Sequence, residues 1–188
     1  MPGFYITNAI AINNLQCYNA GNCLSDEMTV DSFKLKRSTV NKFCDDKCFT
    51  ASEDFVVIQE GVLLNKKYML EQYEKANMFE LIVSMYENDG EEFFSKFRGS
   101  FSGAIYDKKQ GKWVIWTNQV GDNALFYYYV DGVFVVASQF SDMIETLKKN
   151  GIHPEINDDA IRDMLTYAFM SKDHTYAKDV SRLRGGAI

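Results

Sequence analysis

Apolar positions recur along this chain with two different periods. Four short runs, 101–106, 112–118, 124–130 and 133–138, are dense in aromatic and β-branched residues, the types that suit a pleated, half-buried surface. Turn chemistry separates them: Asp107 to Gly111, then Gly121-Asp122-Asn123, then Asp131-Gly132. The last is the sharpest signal, because Asp-Gly tolerates the positive φ angles of a two-residue hairpin. The pattern predicts an antiparallel meander. Within it, Tyr127-Tyr128-Tyr129 reads as strand residues packed and exposed in turn. A helical period flanks the meander on both sides, over 91–98 and over 140–149, where Met143, Ile144 and Leu147 share a face.

Upstream, residues 3–12 (GFYITNAIAI) read as a first strand and 13–31 as a polar loop. In 32–38, Phe33, Leu35 and Arg37 alternate with lysines, which predicts a half-buried strand. Residues 42–54 are charged and loop-like. Residues 55–58 read as a buried strand ending at Gln59-Glu60-Gly61. Two helices are expected over 65–75 and 77–88, the second with Met78, Leu81, Ile82 and Met85 on one face and Gly90 as its stop. Downstream, Asn157 or Asp158 caps a helix through Tyr167, with Ile161, Met164 and Leu165 turned inward.

The chain has 188 residues, enough for one domain with a substantial core. Its net charge of −6 argues against nucleic acid and anionic membrane surfaces as partners. Its apolar runs are too short for a bilayer span, and the N-terminus lacks a basic segment followed by a hydrophobic one. A cytoplasmic location is the expectation. The cysteines, Cys17, Cys23, Cys44 and Cys48, are spaced C-x5-C and C-x3-C, unlike a zinc ribbon. Free thiols are the favoured reading, ahead of a metal site or a disulfide. Neither a metal nor a cofactor is expected. Asp45-Asp46 and Asp158-Asp159 read as solvated loop and cap charges. Met78, Met85 and Met164 read as helix core.

The order R-G-S-F-S-G-A-I-Y-D, W-V-I-W-T-N-Q-V-G, L-F-Y-Y, D-G, F-V-V-A-S-Q, between two helices, resembles the N-terminal glutaminase domain of the asparagine synthetase family, a class II glutamine amidotransferase. That family reads L-x-G-x-F-A-F-A-x-x-D, then x-x-x-R-D-x-x-G-x-x-P-L-Y-Y, then F-A-S-E. The likeness runs through nearly the whole chain, in order and spacing more than in identity. It implies an α+β fold: a four-layer αββα sandwich of two antiparallel sheets flanked by helices, as in Ntn hydrolases. It implies that residues 1–188 are one glutaminase-like domain of a longer protein whose C-terminal synthetase domain, the partner, carries a Ser-Gly-Gly-x-Asp-Ser loop absent here. A homodimer would also fit the family.

The resemblance further implies an N-terminal cysteine nucleophile whose own amino group is the base. Gly3-Phe4 match the residues after it, so Pro2 stands in its place, and proline has no nucleophile. The family's Asn-Gly-Glu-Ile-Tyr-Asn, whose Asn and Gly N–H form the oxyanion hole, matches Glu60-Gly61-Val62-Leu63-Leu64-Asn65. Glu60 thus replaces the oxyanion donor, and a carboxylate would repel developing negative charge. A surface carboxylate is favoured there over a buried one. The family's Ser-Asp-Thr-Glu, whose Asp binds the glutamine amino group, matches Asn77-Met78-Phe79-Glu80, and Met78 cannot form that ion pair. Arg37 is the candidate for the glutamine carboxylate, and Thr117-Asn118 replace the family's Arg-Asp. The vestigial site is therefore Pro2, Gly3, Glu60 and Gly61, with Arg37, Gly61, Asn65 and Met78 lining the former glutamine pocket.

Three functions stay open: a catalytically silent domain supporting an ATP-dependent amide-forming domain, an active amidotransferase with an unrecognised nucleophile, and a stand-alone ligand- or partner-binding module. Cys17 as a nucleophile exposed by cleavage fits poorly, since such cleavage would discard the first strand.

Overall fold

The computed structural model describes residues 3–11, 22–170 and 173–187. Pro2, Ile12 and Cys17, on which some of these expectations fall, lie outside the described residues. The fold is α+β, with two antiparallel sheets and helices. The chain forms two compact units from interleaved segments. One combines the described residues up to Thr39 with Ala124–Arg184, and the other combines Val40–Asn123 with residues 185–187.

The first unit holds a six-stranded sheet built from β1 (Gly3–Thr7), β2 (Cys23–Val30), β3 (Phe33–Val40), β8 (Phe126–Val130), β9 (Val133–Ala137) and β10 (Val180–Arg182), in the order β10-β8-β9-β1-β3-β2. Its central strand β1 pairs antiparallel with β3 and with β9, so Phe4 faces Arg37 and Ile6 faces both Leu35 and Val136. β1 has a strand on each edge, and all five of its residues are buried. The edge strand β2 was expected to be loop. Its sequence CLSDEMTV is polar, with four of its eight residues exposed, and charged side chains are a usual guard on an edge strand.

The β8–β9 hairpin turns on Asp131 and Gly132, with φ of 50° and 78°, the left-handed pair that Asp-Gly supplies. Tyr128 is buried and Tyr129 exposed, as the alternation predicts. In α3 (Phe140–Lys149), Met143 and Leu147 pack into a core with Tyr5, Tyr128, Val135, Ala137 and Val180. In α4 (Asp158–Tyr167), the Asn157 side chain caps the helix by accepting the Ala160 N–H at 3.2 Å. The expected inward face of α4 is wrong. Ala160 alone is buried, Ile161 is half-buried, and Leu165 is 83% exposed. The helix therefore meets its unit through a small residue and leaves its large ones outside.

The second unit holds the sheet β4-β5-β6-β7 (Cys48–Ala51, Phe55–Leu63, Gly99–Asp107, Lys112–Thr117) and two helices, α1 (Lys66–Gln72) and α2 (Met78–Asp89). Two expectations change here. Residues 42–54 contain a 3₁₀ turn, Cys44–Asp46, and strand β4. The helix expected over 91–98 is a 3₁₀ turn, Glu91–Lys96, that turns Phe93 and Phe94 inward. α2 is capped by Asn77, whose side chain accepts the Glu80 N–H at 3.0 Å, and the Glu80 carboxylate accepts the Ala76 N–H at 3.2 Å. Met78, Leu81, Ile82 and Met85 then bury against Phe93, Phe101, Ile105 and Trp116. The Phe93 ring meets Trp116 edge-on at 5.0 Å, a geometry that adds to the area effect. Gly103 makes room for Trp116, because a Cβ there would lie 2.3 Å from the indole.

The meander is also corrected. β6 and β7 pair in one sheet, and β8 and β9 pair in the other. After Asn118, the chain turns through Gly121 (φ 66°), whose N–H donates to Asn118 O at 3.0 Å. Residues 101–138 are thus two hairpins of separate sheets, which local periodicity cannot distinguish from one meander.

Candidate functional site

In the first unit, the start of β1 is clamped to the end of β9. The Phe4 N–H donates to Ser138 Oγ, and the Ser138 N–H donates to Phe4 O, both at 3.0 Å. Gly3 is required for this approach, since a Cβ there would lie 2.5 Å from Ser138 Cβ. The Gly3 match in the sequence thus has a packing cause. Arg37 on β3 reaches across to β2, where its Nε and Nη2 bind one Asp26 oxygen at 3.0 and 2.5 Å. The residue expected to hold a glutamine carboxylate is held by a carboxylate of the protein's own.

In the second unit, Glu60 overturns the surface expectation, being only 4% exposed. The β4–β5 register sets Cys48 opposite Gln59 and brings the next residue, Lys47, to Glu60. Its Nζ lies 4.0 Å from the carboxylate, and both side chains are buried. Lys47 Nζ also donates to Val40 O at 2.8 Å. Asp46 was expected to be solvated. It is buried instead, accepts the Leu63 N–H at 3.1 Å and pairs with Lys66 at 2.6 Å. The end of β5 therefore carries two acid–base pairs in a low-dielectric setting. Such pairs give little net stability, but removing one partner is costly.

Gly61 follows Glu60 with φ 108°, a conformation that favours glycine, and a Cβ there would lie 2.1 Å from Ser100 O. Asn65 braces the next turn, its amide donating to Lys96 O at 2.9 Å and its oxygen accepting the Arg98 N–H at 2.8 Å. Asn65 is thus a bracket for the loop before β6. Met78 lies in the hydrophobic core under α2. Asn118 donates to Gly99 O at 3.0 Å from a buried position. Gly3 lies in the first unit with Arg37, and Glu60, Gly61, Asn65 and Met78 lie in the second.

Sequence reasoning missed Lys47, Asp46 and Ser138. Recognising β4 would have exposed the first, because a hairpin around 52–54 sets Lys47 across from Glu60. The free-thiol expectation fails for Cys23, which is disulfide-bonded. Its spacing to the other cysteines carried no geometric information. Cys44 is an exposed thiol and Cys48 a buried one. Among the described residues, no group of three or more His, Cys, Asp or Glu side chains is arranged to hold a metal ion. No helix among them is long and apolar enough to cross a membrane.

The family profile described as "Glutamine amidotransferase domain" matches residues 40–188. The chain belongs to that family. A curated relative, "Putative asparagine synthetase [glutamine-hydrolyzing] 2" of Methanocaldococcus jannaschii, is 22% identical over 134 residues, 69% of this chain. The chain spans only 26% of that relative's length. Among solved structures, the glutamine phosphoribosylpyrophosphate amidotransferase of B. subtilis superposes with a TM-score of 0.45 at 13% identity, over 66% of this chain and 31% of its own. An allosteric regulatory enzyme of purine biosynthesis gives 0.44 at 11% identity, over 80% and 37%.

Proposed function

We propose that this glutamine amidotransferase domain, related to those of asparagine synthetases, does not hydrolyse glutamine. In this reading it supports an ATP-dependent amide-forming domain of the same protein. The observation that carries the reading is the buried Glu60 next to Gly61. By the family pattern, residue 60 should donate a hydrogen bond to the oxyanion. A carboxylate cannot donate in its charged form, and its charge has the same sign as the oxyanion's. Loss of one such donor lowers kcat by about a hundredfold to a thousandfold. A charge of the wrong sign adds to that loss.

Two further features support the reading. The residue before Gly3 is proline, which offers no thiol or hydroxyl to attack an amide. Arg37, the candidate for gripping the substrate carboxylate, is engaged by Asp26.

The test is intact-mass analysis after incubation with an electrophilic glutamine analogue that alkylates amidotransferase nucleophiles. The expected spectrum shows the unmodified mass, with the N-terminal residue assigned from the same sample. A stoichiometric adduct that peptide mapping assigns to one cysteine would overturn the reading.

A further inference from the structure

We propose that a cavity in the first unit is a binding site for a small apolar carboxylic acid. This inference does not rest on the fate of the glutaminase site, because none of its residues belongs to that site. The cavity has a volume of about 400 Å³, within the roughly 300–1,000 Å³ range of small-molecule sites. Phe126 of β8 and Phe140 of α3 line it and meet edge to face, their centroids 5.5 Å apart. Met164 of α4, with Phe169 and Met170 just beyond that helix, complete the apolar lining. These are flat and adaptable surfaces, suited to an aromatic or branched hydrocarbon body. Phe169 remains 61% exposed. An apolar ligand would cover it.

Two polar groups set the chemistry of the other end. His174 lines the cavity, and its Nδ1 is buried with no hydrogen-bond partner among the described residues. A buried polar atom left unmade is costly, so a native structure normally satisfies it. A ligand oxygen at this position would do so. Arg182 of β10 sits directly opposite Phe126 in the β10–β8 ladder and also lines the cavity. Its guanidinium is a planar fork matched to a carboxylate. No Asp or Glu is among the described lining residues. An apolar body with a carboxylate at one end is the ligand that this distribution fits.

Hydrocinnamate is the probe, with hydrocinnamyl alcohol as its uncharged counterpart. Binding is read by saturation-transfer NMR and titration calorimetry on the whole chain. The expected result is saturable binding of the acid, with the alcohol and the Arg182→Gln variant each about tenfold weaker, the scale of one charge-assisted pair. Met164→Trp should fill the cavity and abolish binding, and an unchanged melting temperature for both exposed-site variants shows that folding is intact. Three outcomes overturn the proposal. The acid fails to bind, or acid and alcohol bind equally and Arg182→Gln changes neither, or sedimentation shows a dimer of the chain that Met164→Trp dissociates. The last result would assign the apolar surface to a second copy instead of a small molecule.

Discussion

Lys47→Met leaves Glu60 buried without the ammonium that the β4–β5 register brings to it. At 4.0 Å, two unit charges attract by about 4 kcal/mol at an effective dielectric constant near 20. Desolvation offsets much of that attraction while the pair is intact. Removing one partner exposes the penalty, which runs to about 3–5 kcal/mol for a buried pair. Lys47→Met also frees Val40 O from a 2.8 Å hydrogen bond, worth about 1 kcal/mol. The single variant should therefore lose roughly 3 kcal/mol or more. The double variant Lys47→Met, Glu60→Gln should regain at least half of that, because no unpaired charge remains. Urea unfolding followed by tryptophan fluorescence reads this directly, since Trp116 is fully buried in the same unit. If Lys47→Met falls within about 0.5 kcal/mol of the native protein, a typical effect of a neutral surface change, or if the double variant shows no recovery, the argument from a buried, paired Glu60 fails.

Three smaller perturbations follow from the same structure. Gly103→Ala drives a methyl group against Trp116, 2.3 Å away before relaxation. It should cost about 1–3 kcal/mol and shift the tryptophan emission of the folded state. Asn77→Ala removes the cap of α2 and should cost about 1 kcal/mol in the same unfolding assay. Burial, and then the neighbouring charge of Glu145, hold the Asp142 carboxyl above its usual range. The folded state thus binds that proton more tightly than the unfolded chain. Its ionisation weakens the fold as pH rises from the ordinary carboxylate range through the raised value. Asp142→Asn should therefore melt higher than the native protein at neutral pH, and the difference should vanish in acid. An unchanged difference between the two pH values would contradict the assignment.

The sequence was most informative where local chemistry is decisive. Asp131-Gly132, the Asn157 cap and the Gly90 stop all follow from backbone preferences that act within a few residues, and the structure keeps each of them. The α2 face of Met78, Leu81, Ile82 and Met85 was legible because its helical period is strong. What could not be read depends on partners distant in sequence. The polar strand β2 resembles a loop because it is an edge. Residues 112–118 and 124–130 resemble adjacent meander strands, although their hydrogen bonds go to different sheets. The apolar residues of α4 resemble a core face, yet only Ala160 meets the unit's interior. At the candidate site, Gly61 was legible from its motif, whereas Glu60 was misjudged. Nothing local shows that Lys47 lies across from it, and an isolated carboxylate is normally at the surface. Cys23 failed for the same reason, since disulfide geometry is a property of the folded chain.

Release of glutamate from glutamine, measured on the whole protein with its N-terminal residue assigned by mass, tests the central claim most directly. Glutamate release no faster than in protein-free buffer is the predicted result. Turnover above that level that disappears when one cysteine is changed to serine would contradict it, and would mean that Glu60 does not stand where an oxyanion forms.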